Sequence, residues 1–461
     1  MANNHLRSLM KARLSTTPLL FLFLSGLTAW YFVYEKQIKV KNTAQEESSK
    51  KLVLFSKDEI QELDIAQSTD SSFKLKRSGT DWLLTAPVED LADIGVVNSL
   101  LTTLTSSEQE RVIDENPTDL DVFGLAKPSL TIRVAKDPNS SQEIIVGNQT
   151  QVGFSVYVRT SASKQVVKTN RALLSSFQKS LFELRNKSLV SLKKAELKEV
   201  ELQNSTGQII ATRNSEDKWI LGREASPVDS AEWGKALNLL TDLKAVAIAS
   251  EKAELANFKL DKPTVKAWLS EGPEKPKLGI FFSQMNGKVF AKRDDKPLIY
   301  EVDKGVLTEL SKSASTFKDL HLVSFNRFAV SRIKLSRSGT SLEFKKEGPA
   351  WISPGGKPDQ KIDPGKIEKF LTTLQDSKVT SFGGLQKATA PGLTIELFEQ
   401  KDEKETLVAK VEFSKQKSGN VSGTSNHLNG AWSLAPDIFK QLNLTQEDFL
   451  EIARKAEEKE S

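Results

Sequence analysis

The sequence predicts an α+β fold: one unit, a mostly antiparallel sheet with two helices, recurs three times at a period of about 133 residues after a single N-terminal transmembrane helix. Three observations carry this expectation. A tryptophan in a strand-like setting returns as Trp82 (DWLLTAP), Trp219 (KWILGRE) and Trp351 (AWISPGG). An aspartate heading a helical apolar pattern returns as Asp93, Asp229 and Asp363. A 17-residue stretch without charge, 18–34, precedes all of them.

That stretch, PLLFLFLSGLTAWYFVY, spans about 25 Å as a helix, close to a hydrocarbon core of about 30 Å. Trp30, Tyr31 and Tyr34 gather at one end, where aromatic rings favour the headgroup region. Arg7, Lys11 and Arg13 lie before it and no acid does. Residues 1–17 are therefore expected in the cytoplasm, 18–34 in the inner membrane, and the bulk of the chain in the periplasm. The bulky run from Trp30 to Tyr34 offers no small-residue cleavage site and argues against a signal peptide. Residues 35–51 read as a polar tether.

Three units follow, at 52–190, 191–323 and 324–452, the third divergent, with a flexible tail at 453–461. After each aspartate the apolar residues share their offsets: Val97, Trp233 and Ile367 at four; Leu100, Ala236 and Phe370 at seven; Leu101, Leu237 and Leu371 at eight; Leu104, Leu240 and Leu374 at eleven. These offsets trace one helical face. The aspartate is an N-cap, its carboxylate accepting from unpaired first-turn amides. Glu232 stands at capping-box spacing from Asp229, and Pro364 takes the first helical position after Asp363. Alternating segments come next: EIIVG and FSVYVRT in the first copy, KLGIFFS and KVFAKRD in the second, KVEFS and NVSGTSN in the third. A short strand and an amphipathic helix close each copy. The tryptophans are expected to roof their cores while staying partly accessible.

Composition excludes much chemistry. Of 461 residues, 38% are hydrophobic and 27% charged, with no cysteine and three histidines, His5, His321 and His427. Disulfides, thiolate metal sites and cysteine nucleophiles are therefore absent from this sequence, and a histidine-built site is not expected. The net charge of +5 holds +3 in the first 34 residues, so no basic patch for nucleic acid is left on the folded part. Gly355-Gly356-Lys357 is followed by Pro358 and makes no phosphate loop, which excludes a nucleotide partner of that kind. His321 and His427 lack histidine counterparts in the other copies and read as incidental, and Asp294-Asp295 reads as solvated charge. The segment 414–430, rich in Gly, Ser, Asn and Lys, is either a long hairpin connection or a binding loop. No catalytic, cofactor-binding or metal-ligating residue is assigned, and the chain is expected not to be an enzyme.

The tryptophan strand, Ala92-Asp93 with its leucine helix, the Phe-Gly-Leu-x-x-Pro element at 123–128, and the strands around Gly147 and Tyr157 together resemble the bacterial domain of unknown function 4340. The resemblance is strongest over 55–190, fair over the second copy (Phe258, Leu260, Lys262-Pro263) and weak over the third. It implies a single N-terminal anchor and a genomic setting beside ABC-transporter permeases and auxiliary components of the gliding-motility type. The expected role is a membrane-anchored extracytoplasmic scaffold or accessory subunit of an ABC-type export or motility complex, with a membrane-protein partner. The alternative is a cell-envelope binding module for polysaccharide or peptidoglycan that uses the three tryptophans.

Overall fold

The computed structural model describes residues 23–34, 50–68, 71–337, 339–355, 360–383, 392–402, 404–415 and 421–451. Two units make up the chain, Met1–Lys187 and Ser188–Ser461. The first holds one nine-stranded sheet: β1 Glu62–Gln67, β2 Ser72–Ser78, β3 Asp81–Ala86, β4 Asp90–Leu91, β5 Arg111–Asp114, β6 Leu130–Asp137, β7 Ser140–Gln149, β8 Ser155–Thr160 and β9 Val166–Asn170. Their spatial order is β4-β3-β2-β1-β6-β7-β8-β9-β5, antiparallel between neighbours. The helix Ile94–Ser106 carries the chain from one edge of this sheet to the other.

The second unit holds two sheets. One, of nine strands beginning at Glu199–Asn204, repeats this order strand for strand. The other begins at Val330–Arg337 and has eight strands, lacking only a counterpart of β4 among the described residues. Equivalent pairings sit in equivalent register. Leu63 and Ile65 face Val134 and Ile132; Val200 and Leu202 face Leu269 and Ala267; Ile333 and Leu335 face Leu397 and Ile395. All twelve are buried, so one face of each sheet is core throughout.

The long helices Ile94–Ser106, Ser230–Thr241 and Pro364–Asp376 lie against that face. Their buried residues are Val97, Leu100, Leu101 and Leu104; Trp233, Ala236, Leu237 and Leu240; and Ile367, Phe370, Leu371 and Leu374, the offsets read from the sequence. Each cap is in place: Asp93 accepts from the amides of Gly95 and Val96, Asp229 from Ala231 and Glu232, and Asp363 from Gly365. Pro364 occupies the first turn as expected. The capping box does not form, because the Glu232 carboxylate turns to Lys235 and Lys312. The Asp229 amide donates instead to Phe317 O, as Asp93 does to Leu184 O and Asp363 to Phe449 O.

Other details differ from expectation. The closing helix of each copy is broken, into Ala172–Phe177 and Leu181–Leu184, then Gly305–Leu310 and Ala314–Phe317, then Pro436–Leu442 and a 3-10 turn at Glu447–Phe449. A break frees backbone carbonyls. Here the side chain at the end of the first strand takes them: Gln67 donates to Phe177 O and Lys179 O, Asn204 to Leu310 O and Lys312 O, and Arg337 to Leu444 O. The boundaries also move. Leu189-Val190 and Leu322-Val323 open the following body and do not close the preceding one. The amides of Leu52, Leu189 and Leu322 donate to Ser107 O, Leu243 O and Ser377 O just after each long helix. Lys51, assigned to the tether, already pairs with Glu108. Residues 35–49 of the tether, residue 452 and the tail at 453–461 lie outside the described residues.

The Phe-Gly-Leu element lies on the opposite face of the sheet. Phe123 meets Tyr157 edge-on at 5.2 Å, and in the second copy Phe258 meets Phe290 at 4.9 Å. A Cβ on Gly147 would come within 2.1 Å of Phe123 O, so only glycine fits there. At the matching position of the second copy, Ser283 Oγ donates to Phe258 O.

Truncating the core should cost more than truncating a cap. Leu101→Ala or Leu237→Ala is expected to lose about 2–5 kcal/mol, and Asp229→Ala about 1 kcal/mol, read as shifts in urea midpoint at constant slope.

Candidate functional site

Within the second unit, the segment leaving one sheet for the next brings titratable groups together. The amide of Asp319 donates to Pro227 O beside the N-cap of Ser230–Thr241, and Lys318 bridges to Val228. Two residues on, His321 bridges to Lys378 of the third copy. Asp319 is thus held by the second body while the chain passes into the third, its side chain 16% exposed.

Both of its carboxylate oxygens are occupied. Oδ1 accepts from the His321 amide at 2.9 Å and from His321 Nδ1 at 2.6 Å, and Oδ2 from His427 Nε2 at 2.9 Å. An ionised carboxylate only accepts, so the proton sits on Nδ1 of His321 and on Nε2 of His427. Burial pushes the Asp319 pKa up, but the hydrogen bonds from His427, the His321 amide and the His321 ring outweigh it and hold it at about 2. The two histidines read as incidental therefore converge on one acid. They point at its oxygens and not at a shared vacant point, and among the described residues no three such side chains are placed to hold a metal ion.

His427 arrives on the segment left open as connection or binding loop. Residues 416–420 lie outside the described residues; Val421–Ser425 is a strand, and the turn after it hooks onto the second body. There Asn429 Nδ2 donates to Glu224 O at 2.6 Å and Ala225 O at 2.8 Å. The hook's target is a neighbouring copy of the same chain. The matching turn of the second copy is structural as well. Asp294 accepts from the Gly279 amide, and Asp295 pairs with Arg293, whose Nη1 donates to Leu189 O at 2.8 Å. Asp294 and Asp295 are exposed, as solvated charge would be, and both are engaged in these contacts.

Beside the hook lies a cleft of about 750 Å³, walled by Arg213, Trp219, Trp233 and Gly234 on the second body and by Asn426 and His427 on the third. Arg213 lies over the Trp219 ring at 5.0 Å, as Arg77 lies over Trp82 at 4.9 Å. Trp219 is half-buried and meets Trp233 edge-on at 5.8 Å. Trp82, at 1% exposure, and Trp351 are buried, against the expectation that all three stay accessible. The predicted aspartates and leucines sit in caps and cores, away from any shared pocket with the tryptophans except where Trp219 and Leu237 line this one.

Sequence reading missed the convergence because it aligned histidine with histidine. The useful signal lay at the junction, where the copy-one positions Asn186 and Ser188 become Asp319 and His321, matched by the bridges Ala92–Arg185 and Val228–Lys318.

The depressed pKa has a consequence with a definite sign. Asp319 adds stability above the ordinary carboxyl value of about 4, and this is lost as pH falls through about 2. Asp319→Asn should destabilise the second unit by about 2 kcal/mol at pH 7, with the gap from the native chain closing between pH 4 and 2 in denaturant titrations.

No curated protein and no solved structure matches the chain. A family match does: it covers residues 82–263 and again 220–395, each run beginning at or beside a strand tryptophan and ending in the following copy. The chain belongs to the family described as domain of unknown function DUF4340.

Proposed function

We propose that this chain is a non-enzymatic scaffold, anchored by a membrane helix over 18–34, that presents its three sheets outside the cytoplasmic membrane as an accessory subunit of an ABC-type export or motility complex. The observation that carries the reading is the use made of the chemistry-bearing side chains. The repeated aspartates cap helices, and Asp319 is consumed by two imidazoles that join successive bodies. Side chains committed in this way hold shape.

The anchor rests on sequence. Residues 23–34 are helical and leave Phe23, Trp30, Phe32 and Tyr34 exposed, as a lipid-facing segment would. Among the described residues no helix is long and apolar enough to cross a membrane, and 18–22 lie outside them. The polysaccharide alternative loses two of its three aromatic platforms, because Trp82 and Trp351 are buried.

Tagged full-length chain, extracted from membranes in mild detergent, should co-purify with a permease or its auxiliary membrane subunit. Deleting residues 1–34 should release the remainder from carbonate-washed membranes. Repeated recovery of the chain alone would sink the accessory reading, and a soluble full-length chain would sink the anchor.

A further inference from the structure

The hairpin between β7 and β8 ends in a longer loop than its topology requires. In the second copy the matching strands, Leu278–Met285 and Lys288–Arg293, are joined by Asn286-Gly287 alone, two residues of positive φ in a tight polar turn. In the first copy five residues, 150–154, make the same connection. Thr150 braces them from within. Its amide donates to Ser155 O at 3.0 Å, and its hydroxyl lies 3.0 Å from Val152 O and 3.1 Å from Ser155 O. Held in this way, the loop leaves Val152 88% and Phe154 75% exposed, the two most exposed large hydrophobic side chains among the described residues. A lone apolar side chain on a surface needs no explanation, whereas two on one short loop mark a contact.

The place of the loop in the body says what it meets. Lys50, where the described chain resumes after residue 34, accepts at its carbonyl from the Gln109 amide at 2.7 Å. The next residue along, Glu110, accepts from Ser155 Oγ at 2.8 Å, at the foot of the loop. The chain arriving from the N-terminal helix therefore enters the first body beside this hairpin. Only residues 35–49 lie between that helix and Lys50, and they can span about 50 Å at most. The end of the body that carries the loop is the end tied to the bilayer.

The chemistry of the loop suits that neighbour. Residues 149–155 carry no charge that insertion would have to bury. Glu110 is engaged by Ser155 and by Lys168 at 3.5 Å. Arg171 donates its amide to Phe154 O at 2.8 Å and lies over the Phe154 ring at 5.5 Å. With the ring among acyl chains, a guanidinium on its face can reach the phosphate level. We propose that this loop is a second membrane contact, inserting Val152 and Phe154 into the interfacial layer of the phospholipid bilayer with Arg171 at the lipid phosphates. The inference rests on the anchor reading of residues 18–34. The tether limits how far the first body stands from the membrane, and the loop sets which side faces it.

The chain has no cysteine, so one introduced thiol carries one label. Full-length chain is reconstituted into vesicles of phosphatidylethanolamine and phosphatidylglycerol, with an environment-sensitive fluorophore on Gln151→Cys, on Asn286→Cys in the tight turn of the second copy, or on Leu27→Cys in the N-terminal helix. Doxyl-labelled lipid should quench the first and third labels at least threefold more than the second. Val152→Ser combined with Phe154→Ser should reduce quenching at Gln151→Cys to the level at Asn286→Cys, with the unfolding midpoint unchanged because both side chains are exposed. Equal quenching at Gln151→Cys and Asn286→Cys overturns the proposal, as does quenching at Gln151→Cys that survives the double substitution. A Gln151→Cys label shielded from aqueous iodide but not quenched by lipid would assign the loop to a protein surface and overturn the bilayer. The Leu27→Cys label separates the two readings. Quenching there without quenching at Gln151→Cys keeps the anchor and removes this contact, and the converse keeps the contact and removes the anchor.

Discussion

Each body depends on one aspartate acting through two groups. The carboxylates of Asp93, Asp229 and Asp363 satisfy amides in the first turn of the long helix, and their backbone amides donate to the last carbonyl of the closing helix. The long helix must run from one sheet edge to the other, so its start fixes where the apolar face lands. The closing helix returns to that same point. A single residue therefore sets the start of one helix and the end of the other, and the sheet between them has little freedom left. Burial of the apolar residues of each long helix supplies more energy than the cap, at roughly 1.5–3 kcal/mol for each buried Val, Leu, Ile or Phe. The cap decides where that energy is spent.

The broken closing helices show how local polar needs are met without disturbing this arrangement. Three different side chains, Gln67, Asn204 and Arg337, end the first strand and reach the freed carbonyls. They share donors and reach, not identity, so a carboxamide and a guanidinium do the same work. The Phe-Gly-Leu element follows the same logic: where Gly147 makes room for a carbonyl, Ser283 hydrogen-bonds it.

This explains what the sequence disclosed. Periodic features survive divergence, because a helix face tolerates Val97, Trp233 or Ile367 provided the position is apolar. Strand alternation and aspartate caps were legible for the same reason, and so was a third copy lacking most of the family motif. The helix breaks were hidden, since the interruptions around Lys179-Ser180 and Lys312-Ser313 keep an amphipathic pattern on either side. The ends of the copies were misplaced because Leu-Val is equally apolar at a finish or a start; only its hydrogen bond to the residue after the long helix distinguishes the two.

The inter-body chemistry was illegible for a stricter reason. Asp319 and His427 lie 108 residues apart, and no periodicity links them. Their meeting depends on two bodies being built first, each by its own cap and core, and then on a turn after Val421–Ser425 reaching back. Repeats make such sites possible: once every copy carries the same fold-determining residues, the junction positions are relieved of that duty. The positions of Asn186 and Ser188 in the first copy are those of Asp319 and His321 in the second, and a carboxylate between two imidazoles follows from placing that pair beside a hook that carries a third titratable group. In this chain the junction between the second and third copies, together with the turn after Val421–Ser425, carries the side chains that join one body to the next.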